Sequence, residues 1–215
     1  MLNSRKWLDL SHPLSEDIKV YPGDPPFRSE HVASYSNEGY LLKQLSSGMH
    51  SGTHIDFPAH FLEGGKTCAD YSVERFIGRA VLIDADISNG IISTKSFIRD
   101  YQALAFKVEI VILACGHSHL WGSVDYFVEY PKFENDFGSS LRKTNIGLLF
   151  TDLPTVVYRD GDFSAMHKEL LGHDILIGEN LKIPATMGRT LEFSALPLPL
   201  KDFEASLVRA IAKNV

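Results

Sequence analysis

Three near-continuous apolar runs constrain what this chain can fold into. They are Ala80-Val81-Leu82-Ile83-Asp84-Ala85, Val108-Glu109-Ile110-Val111-Ile112-Leu113-Ala114 and Ile146-Gly147-Leu148-Leu149-Phe150-Thr151. A strand with one wet face alternates polar and apolar residues, whereas one buried on both faces does not. Between the first two runs, Ser93 is a good N-cap for a helix running to about Phe106, with Phe97, Ile98, Tyr101 and Leu104 as its apolar stripe. Strand, helix, strand predicts an α/β fold. At 215 residues, without repeats, low-complexity stretches or a linker, the chain reads as one domain over residues 1–215.

Composition removes several function classes. The net charge is −6 and no basic stripe is present, which argues against a nucleic-acid surface. No apolar run reaches the 18 or so residues of a membrane span. Arg5 and Lys6 are not followed by an apolar stretch, so the N-terminus does not read as a signal peptide. Cys68 and Cys115 have neither metal-site spacing nor a disulfide framework, and free thiols fit a cytoplasmic protein.

Chemistry concentrates in His50-Ser51-Gly52-Thr53-His54-Ile55-Asp56-Phe57-Pro58-Ala59-His60. Three of the nine histidines fall in these eleven residues, where an even spread would put fewer than one. In an extended segment His50, His54, Asp56 and His60 would share one side. They would still lie too far apart at about 3.3 Å per residue, so the chain must curl. Gly52 permits the curl and Pro58 fixes another bend, and both disfavour a helix. Imidazole and carboxylate suit zinc, and also manganese or iron(II). His50, His54 and Asp56 would leave a coordination position open, as a catalytic site requires. His60 is then a surplus histidine beside the metal, placed to carry protons. The competing reading, a solvated polar loop, explains one histidine better than three with an aspartate.

His-x-Gly-Thr-His-x-Asp-x-Pro-x-His resembles the signature of the metal-dependent cyclase family, whose best-known members are bacterial kynurenine formamidases. Leu8-Asp9-Leu10-Ser11-His12-Pro13-Leu14-Ser15 and Tyr21-Pro22-Gly23-Asp24-Pro25 resemble the family's opening. The resemblance spans nearly the whole chain. It implies a cyclase-like, swivelling β/α fold with a central mixed sheet flanked by helices. It also implies a homodimer or higher homo-oligomer, and makes Tyr21 a candidate pocket wall.

The resemblance further implies a second ligand pair. Ser164 reads as the N-cap of a helix through Leu171, with Gly172 as its stop, and Asp174–Asn180 as a strand. His167 at the helix start and Glu179 near the strand end can meet at one sheet edge, where open α/β folds place ligands. They match the family's second metal pair, and Asp56 would then bridge two divalent ions, zinc with manganese as the alternative. The activity implied is hydrolysis of a C–N bond, an amide or formamide, in a small molecule, as in arylformamidases. Metal would activate a water and polarise the carbonyl, and His60 would protonate the departing nitrogen. Two other readings stay open: a metal- or small-molecule-binding protein without turnover, and a metal-dependent dehydratase or isomerase.

Remaining expectations concern the pocket and the loops. Phe57, where the family commonly has small residues, is expected to narrow the entrance. Ala114-Cys115-Gly116-His117 stands where relatives often have Thr-Gly-Trp, and is expected to remove an indole from the pocket. His117 and His119 are expected in a loop at the pocket edge, and Asp152 as a turn-initiating residue or a carboxylate orienting a ligand histidine. A helix is expected near Val124–Val128. Periodicity leaves Leu207–Ala212 undecided, and the family's ending resembles a strand.

Overall fold

The computed structural model describes residues 6–215. The three apolar runs form the centre of a nine-stranded mixed sheet. In chain order its strands are β1 (Leu8–Asp9), β2 (His54–Asp56), β3 (Ile77–Asp84), β4 (Ile110–Ala114), β5 (Leu148–Thr151), β6 (Leu176–Glu179), β7 (Thr190–Ser194), β8 (Ala205–Leu207) and β9 (Ile211–Asn214). Their order across the sheet is β1-β9-β7-β3-β4-β5-β6-β2-β8. The inner four, β3 to β6, are parallel, with Ala80 opposite Ile110, Leu148 opposite Ile110 and Leu149 opposite Ile177. Every pairing outside them is antiparallel.

The parallel centre is buried on both faces, which is why its strands do not alternate. Helices α1 (Thr94–Gln102), α2 (Phe137–Leu141) and α3 (Ala165–Leu171) pack in series, α1 against β3 and α3 against β6. Phe97, Phe133 and Phe137 interlock beneath α1 and α2, with ring centroids 4.6–4.9 Å apart. Ser93 caps α1 as expected, accepting the Ser96 N–H at 3.3 Å. The helix ends at Gln102, short of Phe106.

Other local expectations are refined. Ser164 stands at the N-cap of α3 as expected, but its side chain accepts no N–H there, its backbone being already helical at φ −80° and ψ −9°. Gly172 ends that helix in a right-handed conformation, and the left-handed turn falls two residues later, at Asp174 (φ 59°). Near Val124–Val128 only a short 3-10 turn forms, Asp125–Phe127. The undecided C-terminal segment contributes to β8 and β9. Outside the large sheet, Arg28–Ala33 and Leu42–Ser46 form a separate two-stranded hairpin.

Candidate active site

Strand β2 lies between β6 and β8, and its three residues carry the centre of the site. His54 stands directly opposite Glu179 of β6, so the two side chains share a face. Asp56, two residues on, shares it too. The intervening Ile55 and the following Phe57 face the core, where Phe57 packs on Tyr71 and Phe76. His50 returns to the cluster because the chain curls at Gly52, whose φ of 74° is left-handed. A Cβ at Gly52 would run into Leu14. A 3-10 turn over Pro58–His60 brings His60 back toward His50, their rings 4.2 Å apart.

The structure brings all six singled-out residues together. One Asp56 oxygen lies 3.0 Å from His50 Nδ1 and 3.3 Å from His54 Nε2, and the other 3.8 Å from His167 Nε2. The two Glu179 oxygens repeat this division, 3.5 Å from His54 Nε2 and 3.4 Å from His167 Nε2. His50, Asp56 and His60 form one compact group of potential donors, and His54, Asp56 and Glu179 another. His54, Asp56, His167 and Glu179 are buried.

Burial alone would hold both carboxyls protonated and all the imidazoles neutral. Proximity sorts them differently. Burial raises the Asp56 carboxyl, but the charge of His50 and the close approach of the His50 and His54 rings outweigh it and hold the group well below the usual carboxylate range. Burial lowers His50, yet the Asp56 charge and hydrogen bond, aided by Glu204, lift it to about 11. Glu179, buried beside the Asp56 charge, is pushed up to about 8. Burial holds His60 and His167 down at about 4. The cluster thus draws positive charge to the Asp56 carboxylate.

Above the cluster opens a cavity of about 360 Å³ with His50, His60, His167 and Glu179 at its polar end. Tyr21, Phe127 and Phe163 form an aromatic wall, the Tyr21 ring 6.1 Å from Phe127 and 5.8 Å from Phe163. Tyr21 is therefore at the pocket, as the family's opening implies. A larger hollow of about 530 Å³ lies beside the hairpin, around Glu16, Arg28 and Gln44, away from the histidines. It is a crease between arm and body, and the smaller cavity carries the chemistry.

Not every expectation about the pocket holds. Phe57 is in the core and narrows no entrance. Ala114, Cys115 and Gly116 line a different hollow with Asp152 and Met187 and put no indole into this pocket. His117 and His119 are not at its edge either: His117 is buried against Tyr126, with Nε2 2.9 Å from the Tyr126 carbonyl, and His119 bonds Gly116. Asp152 orients no ligand histidine. It accepts the N–H groups of Cys115, His117 and Ser118 at 2.6–3.0 Å, fixing the turn after β4.

Sequence reasoning missed other groups. Glu204 lies 3.5 Å from His50 Nε2, and Thr155 Oγ1 lies 3.4 Å from His167 Nε2. The Phe61 ring lies tilted against that of His167, their centroids 4.7 Å apart. Of these only Phe61, next to the motif, had any local signal.

Residues 8–156 match the model of the Cyclase family, described as "Putative cyclase", and the chain belongs to this family. Its relatives include the kynurenine formamidase of Bacillus mycoides (strain KBAB4), 33% identical over 218 residues and all of both chains. That of Bacillus anthracis is 32% identical over the same span. Among solved structures, isatin hydrolase A from Ralstonia solanacearum superposes with a TM-score of 0.85 at 19% identity, over 98% of this chain and 92% of that one. A predicted metal-dependent hydrolase from Bacillus stearothermophilus gives 0.79 at 22% identity, over 96% and 97%. The fold is thus the cyclase-like mixed sheet that the sequence led us to expect.

Proposed function

We propose that residues 1–215 form one metal-dependent hydrolase domain that cleaves a non-peptide C–N bond, an amide or formamide, of a small molecule. Kynurenine formamidases related over their whole length support the bond type. The observation that carries the reading is a set of stranded buried atoms. Both Asp56 carboxylate oxygens and Glu179 Oε1 are buried with no well-formed hydrogen bond, although ring nitrogens of His50, His54 and His167 lie 3.0–3.8 Å away. Carboxylate oxygens that converge in a buried site without hydrogen bonds are costly, and a divalent cation would satisfy them.

The donor set fits such a cation: imidazole nitrogen and carboxylate oxygen suit zinc, with manganese the alternative. His50, His54 and Asp56 would hold one ion, and Asp56, His167 and Glu179 a second. Bound there, divalent metal would lower the pKa of a water and polarise the scissile carbonyl. The residues supply the rest. His60, neutral at working pH because burial holds it near 4, takes a proton from the attacking water. It passes that proton to the departing nitrogen as the C–N bond breaks, since an amine anion leaves poorly. Tyr21, Phe127 and Phe163 offer ring faces and edges to an aryl group, which favours an arylformamide-type substrate. Free Cys68 and Cys115 fit a cytoplasmic enzyme.

A binding protein without turnover would have no use for His60 beside its metal. The test joins metal analysis to a hydrolysis screen. The expected result is two ions per chain, one in His167→Ala, and aryl formamide hydrolysis abolished by chelation and restored by zinc or manganese. One ion per chain, unchanged in His167→Ala, would defeat the two-ion arrangement. Bound metal with no hydrolysis of any amide, lactam or ester would defeat the enzyme.

A further inference from the structure

We infer that Asn180 is a positioning residue for the metal site: it fixes the Gly52 carbonyl, and through it the tautomer and direction of His54. The inference rests on the metal reading above.

Asn180 directly follows Glu179 at the end of β6. In a regular strand successive side chains point to opposite faces. Here Asn180 has φ 58°, a left-handed angle that asparagine tolerates better than most residues. The backbone therefore turns, and Asn180 lines the same cavity as Glu179.

Every polar group of Asn180 is engaged. Its N–H donates to the Leu153 carbonyl at 3.0 Å, and its carbonyl accepts the Thr53 hydroxyl at 2.7 Å. Nδ2 donates to the Gly52 carbonyl at 2.9 Å, and Oδ1 accepts the Tyr126 hydroxyl at 2.8 Å. The amide orientation follows from the contacts. Swapping the two atoms would set two oxygens face to face at Gly52. The Tyr126 hydroxyl has one hydrogen for two acceptors, Asn180 Oδ1 at 2.8 Å and the Asp152 carbonyl at 3.0 Å, and the shorter contact is the one to the amide. Tyr126 and Asn180 are both buried, so water does not compete for these bonds.

The Gly52 carbonyl lies 2.8 Å from His54 Nδ1. An acceptor there keeps the proton on Nδ1 and leaves a lone pair on Nε2. Nε2 is the atom aimed at Asp56 and Glu179. Gly52 is the residue least able to hold its own carbonyl in place, because the left-handed curl gives it no side chain to pack. The clamp comes from Asn180, which takes the carbonyl of Gly52 and the hydroxyl of Thr53 together. Groups that hold a ligand histidine in this way typically change metal affinity 10- to 100-fold when removed.

The test measures zinc affinity by competition with a chelator, and melting of the metal-free protein, in Asn180→Ala, Tyr126→Phe and their double variant. Phe97→Leu, a core change outside the site, serves as the stability control. The expected result is a loss of about 10- to 100-fold in Asn180→Ala and a smaller loss in Tyr126→Phe. The double variant should be no worse than Asn180→Ala, because Tyr126 acts only through the amide. Wild-type affinity in Asn180→Ala would overturn the inference, as would an equal loss in Phe97→Leu at matched melting temperature. If Asn180→Ala does not fold, Tyr126→Phe decides, and unchanged affinity there overturns it. A wild-type chain that takes up neither zinc nor manganese defeats the metal reading and this inference with it, whereas the other failures defeat this inference alone.

Discussion

His60 stands apart from the other residues of the cluster. Its ring lies 4.2 Å from that of His50 and 6.0 Å from that of His167, and it makes no ion pair with Asp56 or Glu179 among the described residues. It is nevertheless within the donor group of His50 and Asp56, so ligand and proton carrier are competing roles. The proton-carrier role predicts that His60→Ala keeps its metal and loses turnover by roughly 10²–10⁴-fold. The loss should shrink for activated aryl esters, whose leaving group needs no proton. Lost metal in the variant would make His60 a ligand. The pH profile adds a sign: the neutral form works and is lost as pH falls through the folded pKa of about 4. The acid limb due to His60 should therefore lie well below the ordinary imidazole value of about 6.5. This residue was legible in the sequence because it sits in one short motif with His50, His54 and Asp56. Glu204 and Asn180 were not, because only the pairing of β2 with β6 and β8 brings them near. Phe57 was misplaced although its odd number already set it on the opposite face from His54 and Asp56.

Among the elements, β6 holds the tightest fit. Gly178 lies between Ile177 and Glu179 and pairs with Phe150 of β5. A Cβ there would penetrate the Phe150 ring, which is itself pinned against Phe193, their centroids 5.4 Å apart. Gly178→Ala must push β6 away from β5 or turn the ring. Overpacking of this kind costs about 1–3 kcal/mol, which for a chain of this size lowers the melting temperature by on the order of 5 °C. Adding Phe150→Leu should recover part of the loss, and simple additivity in the double variant would show that the ring is not the obstacle. The inner strands were readable because burial on both faces leaves an unbroken apolar run. The outer strands were not: β8, at one edge, and β9, next to the other, are three and four residues long, too short for a period to declare itself. The ends of α3 were readable, since Ser164 and Gly172 flank it, but a serine caps with its side chain from an extended backbone, and that of Ser164 is already helical.

At the scale of the molecule, the Arg28–Ser46 hairpin is the part the fold does not account for. Among the described residues it pairs with no strand of the nine-stranded sheet, and a lone two-stranded hairpin is marginal in water. Val32, Tyr35, Tyr40, Leu41, Leu42 and Leu45 are 45–73% exposed on this arm. Exposed apolar side chains concentrated on an arm that lacks its own core point to a contact surface. We propose that it packs against a second copy of the chain. A two-fold contact uses the same patch on both subunits, so one arm provides apolar surface twice over. The opposing charges of Glu30 and Lys43 on the same hairpin can pair across such an axis without leaving a net charge at the contact. Light scattering after size exclusion should then give a dimer or larger assembly at micromolar concentration, and Leu45→Glu with Tyr35→Ser should shift it toward monomer. A monomeric wild-type chain would sink the idea. So would a double variant that stays assembled, since the contact would then lie elsewhere on the molecule.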